Sequence, residues 1–257
     1  MRWDAEKYDA VKAPRVDAGR ELIAGAKVQD IDTILDIGCG TGKLTLELAL
    51  LAHNAEVIGI DPSEEMMNKA KETCAQVQNI SLLPLTAQVI NFGDKFDLVF
   101  SNSALQWVKE HDKVLESVYR ALKKGGRIAF QFPAKNFCKE FTKAVTYAIE
   151  VVGLEDRYSE WKSPWTFFTE SEFSGKLKQA GFINIDVTCK DYTLGFESVN
   201  DTLDWWASAG LRPYLDPLSE RQREYFQYAF AMSFENNRTE NGIKLNFRRL
   251  FAFAGKG

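Results

Sequence analysis

Asp36, Gly38, Gly40 and Gly42 follow one another at two-residue spacing behind the short apolar run Thr33-Ile34-Leu35. Glycines let the backbone take positive φ and approach a bound group, and a helix beginning just beyond them offers unpaired N–H groups to an anion such as a carboxylate. The periodic leucines Leu44, Leu46, Leu48 and Leu51 supply that helix. A second acid, Asp61, ends the apolar run from Ala55 to Ile60, 19 residues beyond Gly42. At the end of the second strand of a βαβ unit, one carboxylate can accept from both hydroxyls of a ribose. Its simpler role would be to cap the helix that Ser63, Glu64 and Glu65 announce. The dinucleotide fingerprint spaces its glycines G-x-G-x-x-G, which differs from the spacing here. On residue types alone, this is a nucleotide-type loop of open chemistry.

Those residues require strands that stop together at one edge of a sheet, so the remaining chain is read for such elements. A helix is expected from Pro14 to Ala26, where proline suits a first turn and Leu22, Ile23 and Ala26 form a stripe. Strands follow at 55–60, 80–85 and 95–101, the third leading into Thr86, Ala87 and Gln88 and the fourth into Asn102, Leu105, Gln106 and Trp107. Residues 114–122 read as an amphipathic helix closed by Lys123-Lys124-Gly125-Gly126, with a strand from Arg127 to Phe132 behind it. From 134 to 170 aromatics recur without strand alternation. A helix near 171–180, an apolar run at 182–189, a polar helix at 219–236 and a last strand at 245–254 complete the pattern. No repeat or low-complexity segment interrupts it.

Composition narrows the chemistry. With 257 residues the chain can bury a large single core, and its net charge of −4 gives no polyanion-binding surface, so no nucleic-acid partner is expected. Cysteines at 39, 74, 138 and 189 lack CxxC spacing and the only histidines are His53 and His111, so no metal site is expected. Free thiols suit a reducing cytoplasm, and neither an export signal nor an apolar window of membrane-spanning length is read, so no membrane partner is expected.

The stretch from Asp36 to Gly42 resembles the D-x-G-x-G-x-G loop of class I S-adenosylmethionine-dependent methyltransferases. That cofactor carries an amino group and a sulfonium, both cationic, and no phosphate, which suits a carboxylate beside the loop. The phrase Ser101-Asn102-Ser103-Ala104-Leu105-Gln106-Trp107-Val108 is similar to that of trans-aconitate methyltransferases and, less closely, of malonyl-carrier-protein methyltransferases. Trp3, Tyr8 and Arg15 in the lead, Gly210-Leu211-Arg212-Pro213, and the closing Arg249-Leu250-Phe251 are also similar to the former, so the resemblance spans Trp3 to Ala254.

The resemblance implies a doubly wound seven-stranded Rossmann-like α/β sheet with its last strand antiparallel. It also implies one domain over 1–257, with helical cap insertions at about 134–170 and 198–240. S-adenosylmethionine would contact Asp36, Gly38, Gly40, Gly42, Asp61, Pro62, Met66, Thr86, Ala87, Gln88, Asn102 and Leu105. Many relatives carry an acid where Thr86 stands, so the adenine amino contact falls to Thr86, Gln88 or backbone. Gln106 and Trp107 would position the reacting groups, and Trp3, Tyr8, Arg15, Trp107, Arg212 and Arg248 would face the acceptor. The implied reaction is O-methylation of a carboxylate of a small organic acid, which is ionised at neutral pH and needs no general base. Alternatives are a lipid or carrier-bound acid as acceptor, a nicotinamide-dependent oxidoreductase, and a cofactor-binding protein without turnover. Oligomeric state stays open.

Overall fold

In the computed structural model, residues 14–208 and 210–257 are described, with side chains from residue 18 onward. The chain runs α1 (Pro14–Ala26), β1 (Ile34–Ile37), α2 (Lys43–Leu51), β2 (Val57–Ile60), α3 (Glu64–Cys74), β3 (Ile80–Leu83), β4 (Phe96–Asn102), α4 (His111–Ala121) and β5 (Leu122–Pro133). It continues through α5 (Lys139–Val152), α6 (Glu155–Tyr158), α7 (Glu170–Gln179), β6 (Ile183–Phe196), α8 (Val199–Ala207), α9 (Arg212–Leu215), α10 (Glu220–Ser233), β7 (Arg238–Thr239) and β8 (Gly242–Gly255). Single 3-10 turns at Ala87–Val89 and Leu105–Trp107 follow β3 and β4.

The strands order as β3-β2-β1-β4-β5-β8-β6, with the two-residue β7 beside β8. β1 to β5 are mutually parallel, and β8 enters antiparallel between β5 and β6. This is the expected doubly wound sheet. All residues of β1 and β2 are buried, as strands covered on both faces must be. The strand order reverses between β1 and β4, and that switch opens a crevice at the carboxyl edge, where such sheets bind ligands.

Alternation along the strands divides the core. Ile34, Val57, Leu98, Phe100, Ala129 and Phe251 meet Ala18, Leu22 and Ile23 of α1 and Leu48 of α2 on one face. Leu35, Ile58, Val99, Ile128, Phe130 and Leu250 meet Val114 and Val118 of α4 and Phe173 and Leu177 of α7 on the other. Each such buried aliphatic or aromatic side chain contributes roughly 1.5–3 kcal/mol of transfer free energy. A third cluster lies beyond the sheet. There Phe141, Val145, Trp206, Phe226 and Phe230 from α5, α8 and α10 pack on Ile243, Leu245 and Phe247 of β8.

Several boundaries differ from the sequence expectation. Lys123-Lys124-Gly125-Gly126 does not close a helix: α4 ends at Ala121, Leu122 already pairs with Phe96, and the register shifts so that Leu98 faces Arg127. Gly125 takes φ 78° within that excursion. β6 runs on from the expected 182–189 to Phe196, and β8 starts earlier at Gly242, because Leu194 and Phe196 have the third cluster to pack against. Residues 159–169 carry no helix, so the aromatics there lie on a connecting loop.

Candidate active site

At the end of β1 all three glycines take left-handed φ, 73° at Gly38, 55° at Gly40 and 81° at Gly42. The reasons differ. A Cβ on Gly38 would fall 2.1 Å from the Ala104 Cβ and one on Gly42 would press on Cys74 and Ala70, whereas one on Gly40 would meet nothing within 4 Å. Gly38 and Gly42 are packing requirements; Gly40 faces open space. Gly38 and Cys39 anchor the loop by donating their N–H groups to the Ile60 carbonyl at 2.7 and 3.0 Å. Gly42 is the N-cap position of α2 and provides no side-chain cap for its first N–H groups.

Asp61 stands across from that open space. Its Oδ2 accepts from the Gly40 N–H at 3.1 Å and its Oδ1 from the Ser63 N–H at 2.8 Å. The helix cap is Ser63, whose Oγ accepts from the Met66 N–H, so Asp61 is not spent as the N-cap of α3. Asp36 lies behind the loop, 2% exposed, with its Oδ2 accepting from Thr45 Oγ1 at 2.6 Å. Burial pushes the Asp36 carboxyl up to about 7 against the pull of Thr45, and the nearby Asp61 adds to the rise. Asp61 is also raised by burial, opposed by the Ser63 and Gly40 N–H groups. Two carboxyls with raised proton affinity beside an open glycine loop suit a cationic ligand, which would replace the protons. The loop therefore fits the amino acid end of S-adenosylmethionine.

Along the edge toward β3, Met66 is buried, Pro62 is exposed, Thr86 is half-buried, Ala87 is buried and Gln88 is exposed. Toward β4, the turn Leu105–Trp107 is held from below. Leu105 is 1% exposed within the core, and its carbonyl lies 3.0 Å from His111 Nε2. Burial holds the His111 imidazole below its ordinary value, and a carbonyl partner requires the proton on Nε2, so this ring is a neutral strut. Gln106 donates from Nε2 to the Ser103 carbonyl at 2.7 Å, while its main-chain carbonyl accepts from the Thr166 N–H at 2.8 Å. Trp107 is half-buried with its ring centroid 5.4 Å from that of Trp165.

The structure thus brings Asp36, Gly38, Gly40, Gly42 and Asp61 together and places Asn102, Leu105, Gln106 and Trp107 at the end of the next strand. Arg248 is not brought there. Its guanidinium faces Asp191, at 3.8 Å, in a charge-balanced cavity of about 500 Å³ that also includes Lys135, Lys139, Glu140 and Glu170. The next residue, Arg249, points to the opposite face, 7% exposed, and donates from Nη2 to Gln131 Oε1 at 2.9 Å and to Ser103 Oγ. Arg212 is half-buried at the start of α9 within the helical cluster. Trp3 and Tyr8 lie outside the described residues, as does the side chain of Arg15 on α1.

Sequence reading gave no role to the buried corner of Arg249, Gln131 and Ser103. One signal was available: Gln131 is the lone polar residue in the otherwise apolar Ile128-Ala129-Phe130-Gln131-Phe132. Among the described residues no acid, histidine and cysteine group of three or more could hold a metal, and no helix is long and apolar enough to cross a membrane.

The family described as "Methyltransferase domain" matches residues 29–193. The chain is similar to the trans-aconitate 2-methyltransferase of Escherichia fergusonii, 28% identical over 260 residues and covering 98% of this chain and 97% of that one. Its fold is similar to the YcgJ protein from Bacillus subtilis, with TM-score 0.64 and 18% identity over 94% of this chain and 98% of that one. It is also similar to Haemonchus contortus phosphoethanolamine N-methyltransferase 2 in complex with S-adenosyl-L-methionine, with TM-score 0.61 and 18% identity, over 98% of this chain and 56% of that one.

Proposed function

The chain belongs to the methyltransferase-domain family, and from that premise we propose that it transfers the methyl group of S-adenosylmethionine to a carboxylate of a small organic acid. That it is an S-adenosylmethionine-dependent methyltransferase follows from the family and the loop; a nicotinamide-dependent oxidoreductase is not favoured. The observation that carries donor binding is the pair of carboxyls at the glycine loop, Asp61 accepting from the Gly40 N–H and Asp36 buried behind the loop, both raised by burial. When bound, S-adenosylmethionine supplies an electrophilic methyl on a positively charged sulfur. Each Asp61 oxygen accepts one protein N–H and keeps a lone pair for a ribose hydroxyl. Asp36 offers its charge to the cationic end. Met66, Pro62, Thr86, Ala87 and Gln88 lie where the adenine would extend along the edge toward β3.

The acceptor half rests on the full-length relatives named for trans-aconitate and on acid–base economy. A carboxylate is ionised at neutral pH, and the one histidine near the β4 turn is neutral and engaged with Leu105. Gln106 and Trp107 then serve to place the acid and exclude water. Trp107 leads through Trp165 and Tyr214 to Trp161, with centroid distances of 5.4, 6.0 and 4.4 Å. That aromatic path favours, as a second reading, an acid with an apolar body, such as a lipid or carrier-bound chain. In this proposal residues 134–170 and 198–240 cap the site within one domain and Arg212 faces the acid. The four free cysteines accord with a cytoplasmic setting.

The test is incubation with methyl-labelled S-adenosylmethionine and a panel of carboxylic acids including trans-aconitate and medium-chain fatty acids. A base-labile methyl ester is the expected product; label found only in base-stable N- or C-methyl products refutes the carboxylate reading.

A further inference from the structure

The buried corner formed by Gln131, Ser103 and Arg249 has no part in donor binding as described above. Its amide orientation is fixed: Gln131 Oε1 accepts from Arg249 Nη2 at 2.9 Å, and a guanidinium cannot accept, so the Nε2 group is the other end of the side chain. Gln131 is 0% exposed, and its Nε2 has no hydrogen-bond partner among the described residues. An unpartnered buried donor is costly to a fold and calls for an explanation such as a ligand. The corner is held firmly. Ser103, at φ 58°, donates its N–H to the Gln131 carbonyl at 2.7 Å, and its Oγ receives Arg249.

Position in the sheet indicates which ligand. The glycine loop and Asp61 belong to β1 and β2, and the strand order carries the donor from β4 outward toward β3. Gln131 lies on β5 beside Asn102, and Arg249 on β8 opposite Pro133, so both stand on the other side of β4, at the carboxyl edge where an acceptor would lie. They share the sheet face of Phe100 and Phe251, two residues from Asn102 and Arg249 respectively. An arginine beside a buried, unpartnered amide N–H presents two kinds of donor and suits an anion with more than one oxygen.

We propose that Gln131 Nε2 and Arg249 together hold a carboxylate of the acceptor, a role that rests on the carboxylic-acid reading above. Arg249 thereby takes the place the sequence had offered to Arg248.

The deciding variant is Gln131→Glu. A glutamate there retains an oxygen for Arg249 and adds an ion pair, so a purely structural corner keeps or gains thermal stability, while an anionic acceptor is repelled. The expected result is a KM for trans-aconitate at least tenfold higher, with S-adenosylmethionine affinity by calorimetry within twofold of the parent. Gln131→Leu, which removes the donor without adding charge, should also raise KM, by about threefold to tenfold. Titration of trans-aconitate into the S-adenosylhomocysteine complex should show the same weakening without turnover. If the wild type esterifies the acid and both folded variants keep its KM and affinity, this assignment falls while the carboxylic-acid reading stands. If the wild type esterifies no acid of the panel, both fall.

Discussion

Replacing Asp36 by Asn tests the charge logic of the donor site directly. Burial lifts the Asp36 carboxyl from 3.8 to about 7, and each tenfold gain in proton affinity is worth about 1.4 kcal/mol. The folded value lies above the unfolded one, so as pH climbs past about 4 the unfolded chain gives up this proton first. Stabilisation tied to the neutral acid is whole below 3.8 and gone once pH passes about 7. Between pH 5 and pH 8 the ligand-free wild type should therefore lose about 3 kcal/mol relative to Asp36→Asn, whose amide oxygen can still accept from Thr45. For a chain of this length that is a divergence on the order of 10 °C in Tm, read by thermal scanning of both proteins across the pH range. Donor binding should run the other way. Cation binding favours the ionised carboxylate, so wild-type affinity for S-adenosylmethionine should fall as pH drops below about 7 and binding should release a proton, detectable by calorimetry in buffers of different ionisation enthalpy. The Asn variant should bind more weakly and with a flatter pH profile. Parallel Tm profiles in the two proteins, with equal donor affinity, would refute the reasoning.

Gly40→Ala should cost only the left-handed strain, about 1–2 kcal/mol, and weaken the donor, whereas Gly38→Ala should also displace Ala104 and lower Tm further; calorimetry and thermal scanning separate the two. Asp61→Ala should weaken S-adenosylmethionine by about 1–3 kcal/mol, and an unchanged Kd in a folded variant would reduce Asp61 to a brace for the loop. His111→Phe should lose about 1 kcal/mol with the bond to Leu105. Because burial lowers this imidazole, wild-type stability should decline as pH falls below about 6.5, and that decline should be absent in the variant's denaturation profile. Arg212→Lys should raise the KM for the acid and leave donor affinity within about twofold; unaltered kinetics would remove Arg212 from the site.

The donor half of the site was legible because strand, turn and helix each left a local mark: an apolar run, three glycines at two-residue spacing, a leucine stripe. Sheet order followed from the resemblance those marks supported. The acceptor half was harder, since a strand sends neighbouring residues to opposite faces and a shift of one position reverses every assignment. Arg248 and Arg249 are equivalent as text, and only the burial of Arg249 and its bonds to Gln131 and Ser103 show which guanidinium turns inward. The Lys123–Gly126 segment misled for a related reason. Cations followed by glycines usually end a helix, but here Leu122 had already found Phe96.

The late position of β8 bears on how the chain assembles. β6 pairs with β8, and β8 alone joins it to the rest of the sheet, so no strand before residue 242 pairs with it. During synthesis β1 to β5 can condense while β6 waits through α8, α9 and α10. The partner strand β8 then has to pair with both edges, at 12 positions on the β6 side and seven on the β5 side. Such long-range closure is slow, and until it happens β5 presents a bare edge of Ile128, Phe130 and Phe132 to other chains. A chain stopped short of Gly242 keeps the glycine loop yet leaves that edge open, so truncation at this point should favour self-association over a closed sheet.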